Sequence, residues 1–187
     1  MALKIFKQYT KSTRGTVLVD KTGLWKGKPF KKLVQQKNAM KGRNNNGHIT
    51  SRNRAGGHKQ MYRQVDFYRK KFDMSAVVER IEYDPNRSCY IMLVKFDDGE
   101  HCYYLAPQKI KVGDKIENGS KKEIKVGNCM PLQDIPVGID IHNVELQPGA
   151  GGKIARSAGT SVSISGIDGN YSLIKMTSGE VRKIDST

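Results

Sequence analysis

Residues 76–105 read AVVERIEYDPNRSCYIMLVKFDDGEHCYYL, and this stretch decides the fold of the chain. Its first part, residues 76–83, is rich in β-branched side chains and predicts a strand. Residues 84–87 predict a turn, because proline fixes φ and asparagine tolerates the left-handed region. Residues 89–96 then form an apolar run of strand length, which is typical of a buried strand.

The second half of this stretch predicts a hairpin. Residues 97–100 have the composition of a hairpin turn, and residues 101–105 supply the returning strand, which Pro107 ends. Residues 112–116 predict one more short strand. Several short strands separated by turns at this spacing indicate a small closed β-barrel.

A second β unit is predicted closer to the C-terminus. Residues 138–145 alternate between apolar and polar side chains as a strand does, and residues 147–153 interrupt them with glycines and a proline. Residues 161–167 alternate again, and residues 171–176 and 181–184 predict two further strands. The fold class predicted for the chain is therefore all-β.

A basic segment precedes the first barrel. Residues 42–63 read GRNNNGHITSRNRAGGHKQMYR, contain no acidic residue, and are too poor in apolar side chains to fold alone. Arginine and lysine can pair with phosphates, amides and hydroxyls can bond phosphate, sugar or base edges, and glycines let the backbone approach closely. Like-charge runs are usually solvated linkers. The mixture of arginine, amide and glycine here favours RNA binding instead.

The charge of the chain is concentrated in its first part. The net charge is +15, yet residues 1–72 hold 19 basic and two acidic residues, which gives +17, and the remainder carries −2. A cationic arm on a nearly neutral body is typical of a protein that binds a polyanion. Trp25 and Phe30 are expected to anchor this arm. For Trp25, packing beneath a loop is favoured over stacking on a base.

A second candidate site lies in residues 149–160. This segment is rich in glycine, contains Lys153 and Arg156, and has no acidic residue. Successive backbone N–H groups in such a loop can bind an anion. The Gly-Lys-Ser/Thr ending of a P-loop is missing. Taken alone, a purely structural turn is an equally good interpretation.

Several other classes of protein are disfavoured. The three cysteines are an odd number without CxxC spacing, so neither a disulfide framework nor a zinc finger is expected. No nucleophile and base form a catalytic motif, so we predict no enzyme, no catalytic residue, no metal and no cofactor. No stretch is long and apolar enough to span a membrane, and no membrane partner is expected.

These segments together resemble the universal large-subunit ribosomal protein L2 family, in its bacterial and organellar form. The similarity is carried by residues 42–44, 56–59, 81–87, 142–145 and 155–160, which occur in family order along nearly the whole chain. The resemblance implies a structural constituent of the large ribosomal subunit that binds its rRNA. It also implies support for assembly around the peptidyl-transferase centre and for subunit association. The alternative is a free RNA-binding chaperone or regulator with an OB barrel.

The resemblance also implies an organisation and a set of rRNA contacts. We expect an extended basic rRNA-binding arm at residues 1–59, an OB-like barrel at 60–129 and an SH3-like barrel at 130–187. Large-subunit rRNA and other ribosomal proteins are the expected partners. The predicted rRNA-binding residues are Arg43, Asn44, Asn46, His48, Thr50, Arg52, Arg54, Gly56, Gly57, His58, Lys59, Arg63, Arg69, Lys70, Gly151, Gly152, Lys153, Arg156, Ser157 and Thr160.

The family continues beyond the second barrel, whereas this sequence stops at Thr187. We expect a second chain to supply that C-terminal extension, as gene fission in an organelle can produce. This expectation favours a mitochondrial ribosome, with the chain made inside the organelle, over the bacterial cytoplasm. The first twenty residues are basic like an import presequence, but they resemble the family's mature start.

Overall fold

The computed structural model describes residues 3–37, 41–54 and 56–187. These ranges contain no α-helix, only two single-turn 3-10 helices at Lys31–Leu33 and Leu132–Asp134. The strands of the first part are β1 (Leu3–Ile5), β2 (Val17–Val19), β3 (Val34–Gln36), β4 (Met61–Arg63), β5 (Ser75–Glu82), β6 (Ile91–Phe96), β7 (His101–Leu105) and β8 (Lys115–Glu117). Those of the second part are β9 (Asp140–Ile141), β10 (Val162–Asp168), β11 (Tyr171–Lys175) and β12 (Val181–Asp185). The fold is all-β, as predicted, with an OB-like and an SH3-like unit.

The first barrel is built on a four-stranded antiparallel sheet in the order β7-β6-β5-β8. The hairpin of β6 and β7 pairs Lys95 with His101, so the predicted turn closes it. Strand β5 pairs with both β6 and β8, and its register shifts between Val78 and Arg80. Such a bulge bends and twists a strand, which helps a small sheet to curl into a barrel.

Both faces of this sheet are buried, which explains the unbroken apolar run in β6. Successive side chains of a strand point to opposite faces. Met92, Val94 and Phe96 pack in the barrel interior. Ile91 and Leu93 pack on the other face, with Tyr103 and Leu105 of β7. A strand covered on both sides loses the alternation of polar and apolar residues.

The cover of the outer face comes from the preceding part of the chain. Phe30, Leu33, Val65 and Phe67 pack on that outer apolar cluster. Strand β3 pairs antiparallel with β4, so the residues between them leave and return at one place. Residues 30–36 therefore lie against the first barrel, and the extended arm predicted for residues 1–59 stays a prediction.

A buried hydrogen-bond network fastens this cover to the sheet. The Tyr103 hydroxyl accepts the backbone N–H of Phe30 at 2.8 Å and donates to Glu82 Oε1 at 2.9 Å. Arg80 Nε also donates to Glu82 Oε1, at 2.7 Å. The ring of Phe30 stacks on His101, with 4.7 Å between their centroids. The buried Glu82 carboxylate thus has both a charged and a neutral donor, as burial of a charge requires.

The second barrel is built on the antiparallel order β12-β11-β10-β9. Val144, Ile154, Val162, Ile174 and Ile184 form its buried core. The strand predicted at residues 138–145 is shorter than expected, because β9 holds only Asp140 and Ile141. Asn143 adopts a φ of 54°, which extended backbone cannot accommodate.

In the described ranges, no helix is long and apolar enough to cross a membrane.

The buried network yields a test of how firmly the outer cover is attached. Tyr103→Phe removes the acceptor for the Phe30 N–H and one donor to the buried Glu82, so we expect the free energy of unfolding to fall by about 1–3 kcal/mol. Urea denaturation measures this change. The control is Tyr171→Phe, at a tyrosine that is 45% exposed, where little change is expected. Equal stability of the two variants would show that the network does not hold the cover.

Candidate nucleic-acid interface

The basic loop, residues 41–60, contains a small hairpin of its own. The Gly42 carbonyl accepts the N–H groups of Thr50 and Ser51 at 2.8 and 3.1 Å. Asn44 and His48 close the tip, since Asn44 N–H donates to His48 O at 3.0 Å and His48 N–H to Asn44 Oδ1 at 2.9 Å. The described residues of this loop thus have local order, although we expected the segment to be disordered alone.

Gly42 is required by this hairpin. Its φ is +66°, and a Cβ at this position would lie 2.4 Å from the carbonyl oxygen of Ser51. A side chain cannot fit there without moving backbone. This glycine therefore lies at the base of the hairpin, opposite Thr50 and Ser51, where no side chain fits.

Most of the predicted contact residues are exposed. Gly56, Arg63 and Thr160 are half-buried, while Arg69, Gly151 and Gly152 are buried. The exposed members of the predicted set are Arg43, Asn44, Asn46, His48, Thr50, Arg52, Arg54, Gly57, His58, Lys59, Lys70, Lys153, Arg156 and Ser157.

The charges of the basic loop are not neutralised within the protein. None of the ion pairs found among the described residues involves Arg43, Arg52, Arg54 or Lys59. The Arg43 guanidinium donates a hydrogen bond to the Gly47 carbonyl, at 2.8 Å. Exposed guanidinium and ammonium groups without a carboxylate partner are available to phosphates.

Arg69 is different, because its guanidinium is used inside the protein. It donates to the Gly127 carbonyl at 2.6 Å and to Asn118 Oδ1 at 3.4 Å, and it lies 4.2 Å from the centre of the Tyr104 ring. Burial raises the pKa of the Tyr104 hydroxyl to about 12. Arg69 therefore joins interior elements of the first barrel, and it is buried while the neighbouring Lys70 is exposed.

The glycine loop, residues 149–160, is folded against the protein. Gly149 N–H donates to Glu145 Oε2 at 2.8 Å, Gly152 N–H to the Phe67 carbonyl at 3.0 Å, and Lys153 N–H to the Val144 carbonyl at 2.8 Å. These amides are therefore already satisfied. An anion-binding nest needs successive free N–H groups. What the loop offers to solvent is its side chains, Lys153 and Arg156.

Protein atoms explain why glycine stands at positions 151 and 152. A Cβ on Gly152 would lie 2.3 Å from Asn143 Oδ1 and 2.6 Å from the Asn143 carbonyl oxygen. Gly151 has a φ of +76°, and its Cβ would lie 3.1 Å from the Tyr68 ring. Close packing within the chain accounts for both glycines, and their predicted contact with rRNA stays a prediction.

The glycine loop meets the first barrel at Phe67. The Arg156 guanidinium lies 4.5 Å from the centre of the Phe67 ring, and that of Arg87 lies 5.7 Å from it. Ala158 N–H also donates to Ser88 Oγ at 3.1 Å. The two barrels therefore meet around an aromatic ring flanked by two guanidinium groups, and Arg156 stays exposed beside it.

A buried carboxylate, which sequence reasoning missed, organises the arginines near this contact. Asp84 is fully buried and accepts from Arg87 Nε at 2.6 Å and from the Asn86 N–H at 3.0 Å, and Arg63 Nη1 lies 3.8 Å away. Burial by itself would raise the pKa of Asp84, but the bonds from Asn86 and Arg87 hold it below its usual range. The sequence indicated only a turn at residues 84–87, although an acid three residues before a base was visible.

The histidine beside Asn143 adds no charge to this region. Burial, reinforced by Arg69, lowers the pKa of His142 to about 4. His142 is therefore neutral at physiological pH. Among the described residues, no group of three or more His, Cys, Asp or Glu side chains could hold a metal ion.

Two domain descriptions of one protein family match this chain. "Ribosomal Proteins L2, RNA binding N-terminal domain" matches residues 30–118, and "Ribosomal Proteins L2, C-terminal domain" matches residues 125–187. The first match begins at Phe30, the residue that docks on Tyr103.

Individual proteins similar to this chain belong to the same family. The chain is 85% identical over 187 residues to the large ribosomal subunit protein uL2 of Pelagibacter ubique, covering 100% of this chain and 66% of that protein. It is 59% and 57% identical, over 184 residues, to the proteins of the same name from Granulibacter bethesdensis and Rickettsia bellii, of which it covers 67%. The chain thus spans about two thirds of the length of these curated relatives.

The packing of the glycine loop can be tested by adding one methyl group. Gly152→Ala forces a Cβ against the carbonyl oxygen of Asn143, so we expect unfolding free energy to fall by about 1–3 kcal/mol, as overpacking costs. The matched control is Gly166→Ala, where the nearest atom would be 3.8 Å away and little change is expected. Thermal or urea denaturation of both variants measures the difference in their stability. A Gly152→Ala protein as stable as the control would mean that the loop is not packed against Asn143.

Proposed function

Because this chain belongs to the L2 family of large-subunit ribosomal proteins, we propose that it is a structural constituent of the large ribosomal subunit and binds large-subunit rRNA. The observation that carries the proposal is the basic loop: in the part of the chain that the structure describes, its exposed cations have no carboxylate partners. The chain is paired on both sides of this loop, through β3 and β4. A cationic loop held at its base loses less conformational freedom on binding than a free tail does.

We assign the contacts with rRNA to two surfaces. In the basic loop, Arg43, Arg52, Arg54 and Lys59 neutralise phosphates, and the amide and hydroxyl side chains among them bond sugars or base edges. In the glycine loop, Lys153 and Arg156 take the phosphate-binding role. Of the remaining predicted residues, Gly151, Gly152 and Arg69 act indirectly, by keeping the glycine loop and the barrel interior in place.

The role is structural rather than catalytic in this proposal. The loops position rRNA segments against the two barrels, which supports assembly around the peptidyl-transferase centre and association of the subunits. A free RNA-binding chaperone or regulator is the weaker alternative, since the relatives are named as ribosomal subunit proteins. Other ribosomal proteins are the remaining partners.

The location is proposed from the source of the relatives. The similar proteins from Pelagibacter, Granulibacter and Rickettsia are bacterial, which favours a ribosome in the bacterial cytoplasm over the mitochondrial location that we expected. The comparisons also give no support to a second chain that supplies a C-terminal extension.

The phosphate contacts predict a change in salt dependence. On a plot of log affinity for RNA against log salt concentration, the downward slope is about 0.7–0.9 for each phosphate that the protein neutralises. Replacing Arg52, Arg54 and Lys59 with Gln should therefore weaken binding to large-subunit rRNA and reduce the slope by up to about 2–3. Filter binding or fluorescence anisotropy over a range of salt concentrations measures both quantities.

The control removes the same charge elsewhere. Lys125, Arg182 and Lys183 each pair with a carboxylate, Glu123, Glu180 and Asp168 respectively. Their replacement with Gln should leave the slope nearly unchanged. If both triple variants reduce the slope equally, only net charge matters and the assignment of phosphate contacts to the basic loop is wrong.

A further inference from the structure

Trp25 is the single tryptophan of the chain, and it is half exposed. We expected this side chain to pack beneath a loop, yet 49% of it remains accessible to solvent. A half-exposed aromatic side chain on a highly cationic segment offers apolar and aromatic surface to a partner.

The indole ring of Trp25 is held in one position. Its backbone N–H donates to the Ile81 carbonyl at 2.8 Å, and its Nε1–H donates to the Lys28 carbonyl at 3.3 Å. A Cβ at Gly27 would lie 2.6–2.8 Å from atoms of the indole, so only glycine fits beneath the ring. The ring is therefore fixed before any partner arrives.

A cation supports the ring from the sheet. The Arg80 guanidinium lies 4.8 Å from the centre of the Trp25 ring and is itself fixed by its ion pair with Glu82, at 2.7 Å. Glu82 in turn accepts from the Tyr103 hydroxyl. The exposed indole thus contacts, through Arg80, the same buried network that fastens Phe30.

Trp25 binds the strand end that leads to a second exposed aromatic residue, since Tyr83 follows two residues after Ile81, whose carbonyl accepts the Trp25 N–H. Lys21 Nζ lies 3.4 Å from the centre of the ring of Tyr83, which is also exposed and follows the end of β5. Residues 21–32 contain five lysines and no acidic residue. The sequence places Lys26 and Lys28 on either side of Gly27, next to the indole.

We propose that Trp25 is a stacking platform for an unpaired base of RNA, with the surrounding lysines binding the flanking phosphates. Fixed aromatic rings in a cationic groove are how proteins bind single-stranded nucleic acid, and any base can stack because each has a π-face. A protein partner would need to bring carboxylates to this dense group of lysines and is the less favoured occupant. The inference deepens the proposed function and rests on it.

Trp25 is also the probe for its own test, because stacking of a base changes the fluorescence of an indole. The full chain is titrated with a single-stranded oligoadenylate of about 12 nucleotides, a length within the range that such sites cover, and with a duplex RNA of equal length. We expect quenching of Trp25 fluorescence by the single strand and little quenching by the duplex, whose bases are already stacked.

Affinity of variants separates stacking from packing. Trp25→Ala should weaken binding of the single strand by about 5- to 150-fold, as expected for loss of one stacked base. Trp25→Phe should retain much of the affinity because it keeps a π-face. Trp25→Leu should lose as much as Trp25→Ala, although it is apolar, and Tyr171→Ala, on the second barrel, should bind like the unaltered chain.

The outcomes distinguish this inference from the proposed function. If the chain binds both RNAs with unchanged Trp25 fluorescence, or if Trp25→Leu binds as well as Trp25→Phe, the stacking platform is wrong while the RNA-binding function stands. If the unaltered chain binds large-subunit rRNA but not the single strand at low salt, the platform is wrong and the proposed function stands. If it binds neither these RNAs nor large-subunit rRNA, the proposed function is overturned and the inference falls with it. Quenching together with the order Phe above Leu and Ala supports the platform.

Discussion

The central sheet of the first barrel is apolar on both faces, so its outer face needs a cover as well as the face toward the barrel interior. The arrangement of the basic segment follows from covering that outer face. Ile91 and Leu93 of β6 point away from the barrel interior and need partners there. Phe30 and Leu33 from one side, and Phe67 from the other, supply them. The residues between these anchors are forced to leave the sheet and return to it. The basic loop therefore lies between two paired strands, β3 and β4, which form its base.

The same cover links the first barrel to the second. Phe67 packs on the sheet, accepts the N–H of Gly152 at its carbonyl, and lies beneath the Arg156 guanidinium. An exposed cation is thus positioned by an aromatic ring that belongs to the core of the other unit. Glycine at position 152 is what allows the backbone to come this close, because Asn143 occupies the space that a Cβ would need.

The elements that depend on local pattern could be predicted from the sequence. Residues 101–105 form β7 as predicted, and the apolar run of residues 89–96 contains β6. The exposure of Arg52 and Arg54 also followed from composition. Elements that depend on distant residues could not be predicted in this way. The docking of Phe30 on Tyr103 joins positions 73 residues apart, and no periodicity records it.

The candidate site shows the same division. The cations of the site could be identified in the sequence, but their partners within the protein could not. Arg69 cannot be told from the exposed arginines by sequence, yet it is buried and bonds to Gly127 and Asn118. The glycines at 151 and 152 pack against Asn143 and Tyr68, which the sequence could not show, because a sequence does not say which atoms a glycine makes room for. Their contact with rRNA stays a prediction. Trp25 was visible as an anchor, while its exposure required the structure.

We propose that this chain is an integral component of a large ribosomal subunit, held by rRNA contacts of the basic loop and the glycine loop. Sedimentation of subunits assembled with the tagged chain, after washing in about 1 M salt, tests it most directly, since the Debye length is then only about 3 Å and isolated surface charges no longer bind. We expect the chain to sediment with the washed large subunit in stoichiometric amount. Release of the chain into the supernatant, with the subunits intact, would contradict it.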